Sequence, residues 1–276
     1  MMALDALTRR TLLSGIAAGA TLAAIAPARA AGEAIKHYIL IELLPGADQL
    51  ELDRWYMTYH APQVHRAYRA WQRDYISFRS YLPAPEAVQA FGVKYGRMTE
   101  IHFDSLAQFR ESRINGLYGG ELDSFTPPPG GWRGNRLFRT STATIPANPD
   151  TLYVSLATPP KETPYLRWVV FFRYPSTVTA ADGDAWFDQN FAKAVAALPG
   201  VKRFGRYNAV SDRAGFPRAL EIWFDDYPAW KGALLMPGVK LPAPPWQGGS
   251  LLDGSVSMFV GENPDIDFLH DARVVP

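Results

Sequence analysis

A histidine with two nearby tyrosines is the first group in this sequence that could do chemistry. His60 follows Tyr56 by four residues and Tyr59 by one. Histidine is the usual general base near neutral pH, and tyrosine hydroxyls beside it would hold an enolate or phenolate oxygen without a metal. The alternative is structural, because His60 would also suit a hydrogen bond to a backbone carbonyl at a helix kink caused by Pro62. Taken alone, the residues leave both interpretations open.

His102 is the second candidate for proton transfer. It lies in an alternating segment, so strand geometry turns it away from Ile101 and Phe103. If those two side chains face covering helices, His102 faces the space between two sheets. The alternative is that it faces solvent or bonds Glu100. A pair formed by His60 and His102 would let one imidazole remove a proton and the other return it.

Four further residues are candidates for substrate binding. Arg79 and Tyr81 alternate on one predicted strand, and Tyr207 lies on the corresponding strand later in the chain. They would bind a carboxylate or carbonyl at the mouth of a cavity, or else decorate a strand edge. Trp55, with the chain's other tryptophans and its thirteen tyrosines, suits an aromatic-lined cavity, although core packing is the ordinary role of such residues. The pattern predicts no metal site.

The elements that must position these residues come as two copies of one unit. Residues 98–104 (MTEIHFD) match residues 219–225 (ALEIWFD), and Trp55 matches Trp186. Asn148-Pro149-Asp150 is repeated as Asn263-Pro264-Asp265. The offset between the copies falls from about 131 to about 115 residues, as expected for a duplication with small loop deletions.

Each copy predicts a strand, a helix, two strands and a second helix, followed by a Pro/Gly-rich loop and a last strand. This order indicates an α+β protein built from two tandem ferredoxin-like βαββα units, at residues 31–150 and 151–276. Each sheet would expose an apolar face unless it met a partner, so we expect the two sheets to pack face to face as an intramolecular dimeric α+β barrel. The predicted strands are 37–44, 75–82, 97–103 and 137–145, then 166–174, 201–210, 218–224 and 255–260; the predicted helices are 49–70, 104–114, 180–198 and 226–235.

The first predicted helix resembles that of the EthD family in the dimeric α+β barrel superfamily. The segment DRWYMTYHAP, residues 53–62, is similar to the family's WY-x-x-x-H-x-P helix, and the second copy carries DAWF at 184–187 and LPGV at 198–201. The resemblance covers about residues 36–115 and 165–235. It implies the fold and favours catalysis by His60 over a structural role, while the family's chemistry is heterogeneous. Phe191 stands where the second copy would carry this histidine, so the resemblance implies one site.

Residues 1–30 predict a twin-arginine export signal, because Arg9-Arg10 precedes an Ala/Gly-rich run ending in Ala28-Arg29-Ala30. We therefore expect a periplasmic or secreted protein with no membrane contact in its mature form. The net charge of +1 gives no electrostatic case for nucleic acid. The absence of cysteine excludes disulfides, thiolate nucleophiles and Cys-ligated metals.

These observations favour an exported, cofactor-independent enzyme that uses His60 as acid/base on a small apolar carbonyl or aromatic compound, a reaction of lyase or isomerase type. One alternative is a haem-binding oxidoreductase, because tandem barrels include chlorite-dismutase-like and dye-decolourising peroxidase-like enzymes. His60, His102 or another of the chain's few histidines would then be the axial ligand. Others are a cofactor-free oxygenase and a non-catalytic protein that binds small molecules. The expected partner is a small apolar or aromatic substrate, and the chain would act as a monomer or homodimer.

Overall fold

The computed structural model describes residues 33–68, 70–115, 125–156, 165–210, 216–261 and 263–268. The predicted export signal, residues 1–30, lies outside them, so export stays a prediction. Within the described ranges, no helix combines the length and the apolar character needed to cross a membrane. The described residues group as one compact unit.

The described part of the chain forms eleven strands and seven α-helices, of which two pairs are joined by π-helical turns. The strands are β1 (Ile35–Leu43), β2 (Asp74–Arg79), β3 (Val93–Lys94), β4 (Gly96–Phe103), β5 (Phe138–Pro146), β6 (Thr151–Val154), β7 (Leu166–Phe172), β8 (Arg203–Asn208), β9 (Arg218–Phe224), β10 (Val256–Gly261) and β11 (Ile266–Asp267). The helices are α1 (Gln49–Trp55), α2 (Ala61–Tyr68), α3 (Pro85–Phe91), α4 (Leu106–Asn115), α5 (Ala180–Trp186), α6 (Ala192–Ala196) and α7 (Tyr227–Leu234).

These strands build two sheets that exchange short strands between the two copies. The first sheet has the order β11-β2-β4-β1-β5, and the second has the order β3-β10-β7-β9-β8-β6. Strand β6 directly follows the Asn-Pro-Asp segment that ends the first copy and pairs with β8, whereas β11 follows the matching Asn-Pro-Asp segment of the second copy and pairs with β2. The short β3 also crosses, pairing with β10. The copies are therefore interlocked.

Three apolar layers hold the two sheets and their helices together. The middle layer lies between the sheets and includes Tyr38, Met98, Phe171 and Met258. The outer layers pack each sheet against its own helices. This arrangement confirms the predicted α+β class and the sheet-to-sheet packing of two βαββα units.

A group of buried charges ties the two sheets to each other. Glu100 and Glu221 occupy matching positions in β4 and β9. Arg167 on β7 contacts Glu100 at 2.8 Å, and Lys36 on β1 contacts Glu221 at 3.5 Å. Arg203 adds a contact of 2.7 Å to Glu221. Each buried carboxylate thus pairs with a basic residue of the opposite sheet, as burial of charge requires.

The helix that carries His60 contains a π-helical turn. Helix α1 begins at the capping residue Asp48, and residues Tyr56–His60 form the turn that leads into α2. The backbone N–H of Ala61 donates to the carbonyl of Tyr56, which is a five-residue spacing. The second copy has the same turn at Phe187–Phe191, where Lys193 takes the place of Pro62. The π-helical turn therefore does not depend on Pro62, and the helix kink expected at this proline is not the cause of the turn.

Candidate active site

A cavity of about 310 Å³ lies between the first sheet and its helices. Strands supply its floor, the helix with the π-helical turn supplies much of its roof, and residues 125–138 form a wall. The floor is His37, Ile39, Ile41, Tyr75, Thr99, Ile101, Phe103, Thr140 and Thr142; the roof is Trp55, Tyr56, His60, Val64, Tyr68 and Phe109; the wall is Phe125, Trp132, Asn135 and Phe138. The described lining contains no aspartate, glutamate, lysine or arginine, so its two histidines are the only residues that could be charged near neutral pH.

His60 lines this cavity as an unprotonated imidazole. Its ring stacks on Trp55 with centroids 4.7 Å apart and lies 5.3 Å from the ring of Tyr56. Burial lowers the pKa of His60 to about 4, so it is neutral at pH 7. Its Nδ1 atom is buried without a hydrogen-bond partner among the described residues. A buried polar atom without a partner is unfavourable, and a ligand in the cavity would provide one.

Three hydroxyl groups form a connected cluster in the same cavity. The Tyr56 hydroxyl lies 2.6 Å from that of Tyr75 and 2.5 Å from Oγ1 of Thr99. Burial raises the pKa of Tyr75 well above its ordinary value, so this hydroxyl stays protonated. The cluster is able to donate a hydrogen bond to an oxygen of a ligand and to stabilise negative charge that develops there.

A second histidine, His37, also lines the cavity and was not predicted as a site residue. Its Nδ1 lies 2.9 Å from Oγ1 of Thr144, and its ring lies 4.9 Å from that of Phe109. Burial, with a smaller contribution from the charge of Arg113, lowers the pKa of His37 to about 3. The sequence carried one signal that would have found it, because Trp168 stands at the matching position of β7.

The second copy shows what the same architecture looks like without the cavity's polar groups. The strand registers define the equivalence, since Ile101 and Ile222 occupy matching positions of β4 and β9. All five replacements are apolar or indole side chains with 0% exposure in the second outer core. They are Trp168 for His37, Phe187 for Tyr56, Phe191 for His60, Phe204 for Tyr75 and Leu220 for Thr99. The fold therefore does not require hydrogen-bonding groups at these five positions.

His102 does not line the pocket of His60, so the two imidazoles do not form the proton-transfer pair that the sequence left open. Ile101 and Phe103 face the helices, and the alternation of β4 turns His102 to the opposite face of the sheet. There its Nδ1 lies 3.0 Å from Asp74 and its Nε2 lies 3.4 Å from Glu100. Burial alone would lower the pKa of His102, but these two carboxylates raise it. Through Glu100, His102 contacts the group of buried charges between the sheets.

The other predicted site residues divide between the cavity and the rest of the molecule. Trp55 and Tyr56 line the cavity, whereas Tyr59, Arg79, Tyr81 and Tyr207 do not. Tyr59 and Tyr81 are 46% and 50% exposed. Arg79 pairs with Asp53 at 3.1 Å, at the surface. Tyr207 is buried between the sheets, where it donates a hydrogen bond to a glutamate. Arg79 and Tyr207 lie on strands and Tyr59 lies on the helix, as predicted, whereas Tyr81 lies beyond the end of β2. None of the four lines the cavity.

The described lining suits an uncharged ligand and does not fit haem. Haem carries two carboxylates, and burying them without a cation is costly, yet no lysine or arginine is found among the described lining residues. The volume is also at the small end of the roughly 300–1,000 Å³ range of ligand pockets. Across the described ranges, no cluster of three or more histidine or acidic side chains is placed to hold a metal ion.

Comparisons with known proteins bear on the fold alone. No family model and no curated protein matches the sequence. Among solved structures, an anthrone oxidase-like protein is similar with a TM-score of 0.50 and 9% identity, covering 86% of this chain and 92% of that one. The chain has the fold of an intramolecular dimeric α+β barrel. Chlorite dismutase from Candidatus Nitrospira defluvii, in a variant form, is similar with a TM-score of 0.42 and 8% identity, covering 83% of this chain and 91% of that one.

The low pKa of His60 predicts an unusual pH dependence for any reaction in which it is the base. We expect kcat/KM to be half-maximal near pH 4 and constant from about pH 5.5 to 8, because kcat/KM reports the ionisation of the free enzyme. A histidine with the ordinary value would give a midpoint near 6.5. The measurement is kcat/KM against pH, with tryptophan fluorescence at each pH to confirm that the protein stays folded. A midpoint near 6.5 would contradict the prediction.

Proposed function

We propose that this protein is a cofactor-independent oxygenase that acts on an uncharged aromatic ketone or phenol with an acidic hydrogen, and that His60 removes the hydrogen as a proton. The observation that carries the proposal is the contrast between the copies: hydrogen-bonding side chains line a cavity in the first, where the second has buried apolar or indole side chains. Retaining buried polar groups where the fold accepts apolar ones costs stability. A functional requirement accounts for that cost. The EthD-like residues 53–62 favour a catalytic role for His60.

The chemistry of His60 limits the substrate to compounds whose conjugate base is well stabilised. An imidazole with a pKa near 4 is a weak base, so it accepts protons only from acidic C–H or O–H groups. The anion formed beside it raises the pKa of the imidazole within the same low-dielectric cavity, which favours the transfer. The hydroxyls of Tyr56 and Tyr75 are placed to hold the substrate oxygen on which the charge is delocalised.

Oxidation would follow from the same anion. For a methylene group between two aromatic rings, deprotonation gives a carbanion, and O2 forms a C–O bond with it while accepting its electron pair. Protonated His60 returns its proton to the peroxide formed. Loss of the second hydrogen as a proton and cleavage of the O–O bond then release water and leave a carbonyl. The balance is one substrate and one O2 giving one ketone and one water.

The alternative functions differ in whether they use proton removal by His60. A lyase or isomerase would use the same proton transfer by His60 and return the proton to carbon. The structural similarity to an anthrone oxidase-like protein favours reaction of the anion with O2 over return of the proton. A haem enzyme would need a cation for the propionates, which the described lining does not provide. A protein that only binds small molecules would tolerate the loss of His60.

The proposal is tested with anthrone as probe. We expect the mature protein to consume O2 and form anthraquinone in a 1:1 ratio above the uncatalysed rate. Without O2 and in D2O, we expect exchange of the methylene hydrogens to continue. Exchange without O2 uptake would replace the oxygenase by a lyase or isomerase. The absence of both activities would overturn the proposal. An absorption spectrum from 300 to 700 nm of the same sample would reveal a Soret band if haem were bound, which would also overturn it.

A further inference from the structure

We propose that His37 is a second ligand-binding residue of this cavity and that it binds a polar group at the far end of the substrate from the Tyr75 hydroxyl. The inference rests on the proposed function and extends it to the shape of the ligand. His37 is 6% exposed, lines the cavity and is replaced by Trp168 in the apolar second copy. A neutral imidazole held by Thr144 suits a hydrogen bond to an uncharged hydroxyl or carbonyl.

The strand register gives the distance between the two polar ends. Tyr75, Ile101, His37 and Thr144 occupy one row across β2, β4, β1 and β5. Adjacent strands lie about 4.8 Å apart, so the Cα atoms of Tyr75 and His37 are roughly 10 Å apart. The apolar Ile101 lies between them on the cavity floor. Along this row the floor is therefore polar at Tyr75, apolar at Ile101 and polar again at His37.

This pattern fits a flat ligand that is apolar in its centre and carries oxygen atoms at opposite ends. The hydroxyl cluster of Tyr56, Tyr75 and Thr99 would bind one oxygen, and His37 would bind the other. Thr144 does not line the cavity, so its role is to orient the imidazole of His37 through the contact at 2.9 Å. It is a positioning residue.

The test compares two probes that differ by a single oxygen. The first is 2,6-dihydroxynaphthalene, with hydroxyls at opposite ends, and the second is 2-naphthol, with one. Isothermal titration calorimetry on the mature chain should show the diol binding about tenfold more tightly, which is the effect of one hydrogen bond. His37→Phe should remove this preference while changing the affinity for 2-naphthol less than about twofold. Thr144→Val should reduce the preference, and Thr144→Ser should restore it.

Three results would overturn the inference. If His37→Phe weakens both probes equally, His37 only shapes the cavity. If the preference survives in His37→Phe, another residue binds the second oxygen. If wild-type protein binds neither probe, the proposed aromatic ligand fails as well, so that result identifies a failure of the proposed function rather than of His37 alone. Far-ultraviolet circular dichroism of each variant confirms that the fold is intact.

Discussion

Replacing His60 by phenylalanine is expected to reduce kcat with anthrone by a factor of roughly 10²–10⁴, the usual contribution of a general base. Phenylalanine is the matched choice because Phe191 fills the same position of the same π-helical turn in the second copy. The variant removes the buried Nδ1 atom that has no partner among the described residues. It should therefore fold at least as stably as the wild type. The measurement is the steady-state rate of anthraquinone formation, together with the urea midpoint of unfolding.

The control for this variant is Tyr59→Phe. Tyr59 is adjacent to His60 in the sequence and 46% exposed, and it lies outside the cavity lining. We expect its kcat to be unchanged. If His60→Phe retained the wild-type rate, His60 would not be the base, and the cavity would be a binding site whose ligand accepts or donates a hydrogen bond at Nδ1. If both variants lost activity equally, the effect would come from the helix as a whole.

Much of the fold could be predicted because the sequence repeats one structural unit, so the same order of strands and helices is found in both copies. The eight longer strands and the helices that cover them could be identified in both copies, and the apolar face left by each βαββα unit required a partner sheet. Helix α3 and the short strands β3, β6 and β11 were not predicted. The exchanged strands were harder to predict. β11 has two residues, and its partner β2 lies almost 190 positions earlier in the chain. Nothing local in so short a segment specifies a distant partner. The repeated Asn-Pro-Asp segments only show that the two copies continue in the same way.

The sequence could predict which helix residues line the cavity, because helical spacing decides which of them share a face. It could not predict which strand residues line the cavity, because that depends on which face of the sheet the cavity adjoins. Tyr56, His60 and Trp55 followed from one helix and its family-like pattern. Alternation alone shows that His102 and Ile101 face opposite sides of β4, but not which side holds the cavity. That choice depends on packing against helices and loops distant in sequence. His37 was missed for a related reason, since a histidine inside an apolar strand carries no local signal until it is compared with Trp168.

Replacing Glu221 by glutamine is expected to lower the free energy of unfolding by about 3–5 kcal/mol, because it removes one partner from a buried group of charges. Glu221 is 1% exposed and accepts a hydrogen bond from Tyr207 at 3.0 Å. Its loss leaves Lys36, Arg167 and Arg203 with less compensating negative charge between the sheets. Urea denaturation at pH 7 measures the change, since urea does not screen charges as guanidinium does.

The pH dependence separates this electrostatic loss from a loss of packing. Burial alone would raise the pKa of Glu221, but Lys36, Arg167 and Arg203 hold it below the ordinary value, and Glu100 is lowered in the same way by Arg167. A carboxylate with a depressed pKa stabilises the fold fully above its unfolded value near 4.5 and loses that contribution as the pH falls below it. The stability of Glu221→Gln should therefore decline less steeply than that of wild type below about pH 4.5.

A matched control is Glu86→Gln. Glu86 pairs with Lys231 at 2.6 Å, but both side chains are substantially exposed, so solvent screens the pair. Its urea midpoint should equal that of wild type, and its acid sensitivity should be unchanged. If Glu221→Gln behaved like this control, the charges between the sheets would not hold the two copies together. The apolar middle layer around Phe171 and Met258 would then be sufficient to keep the sheets packed.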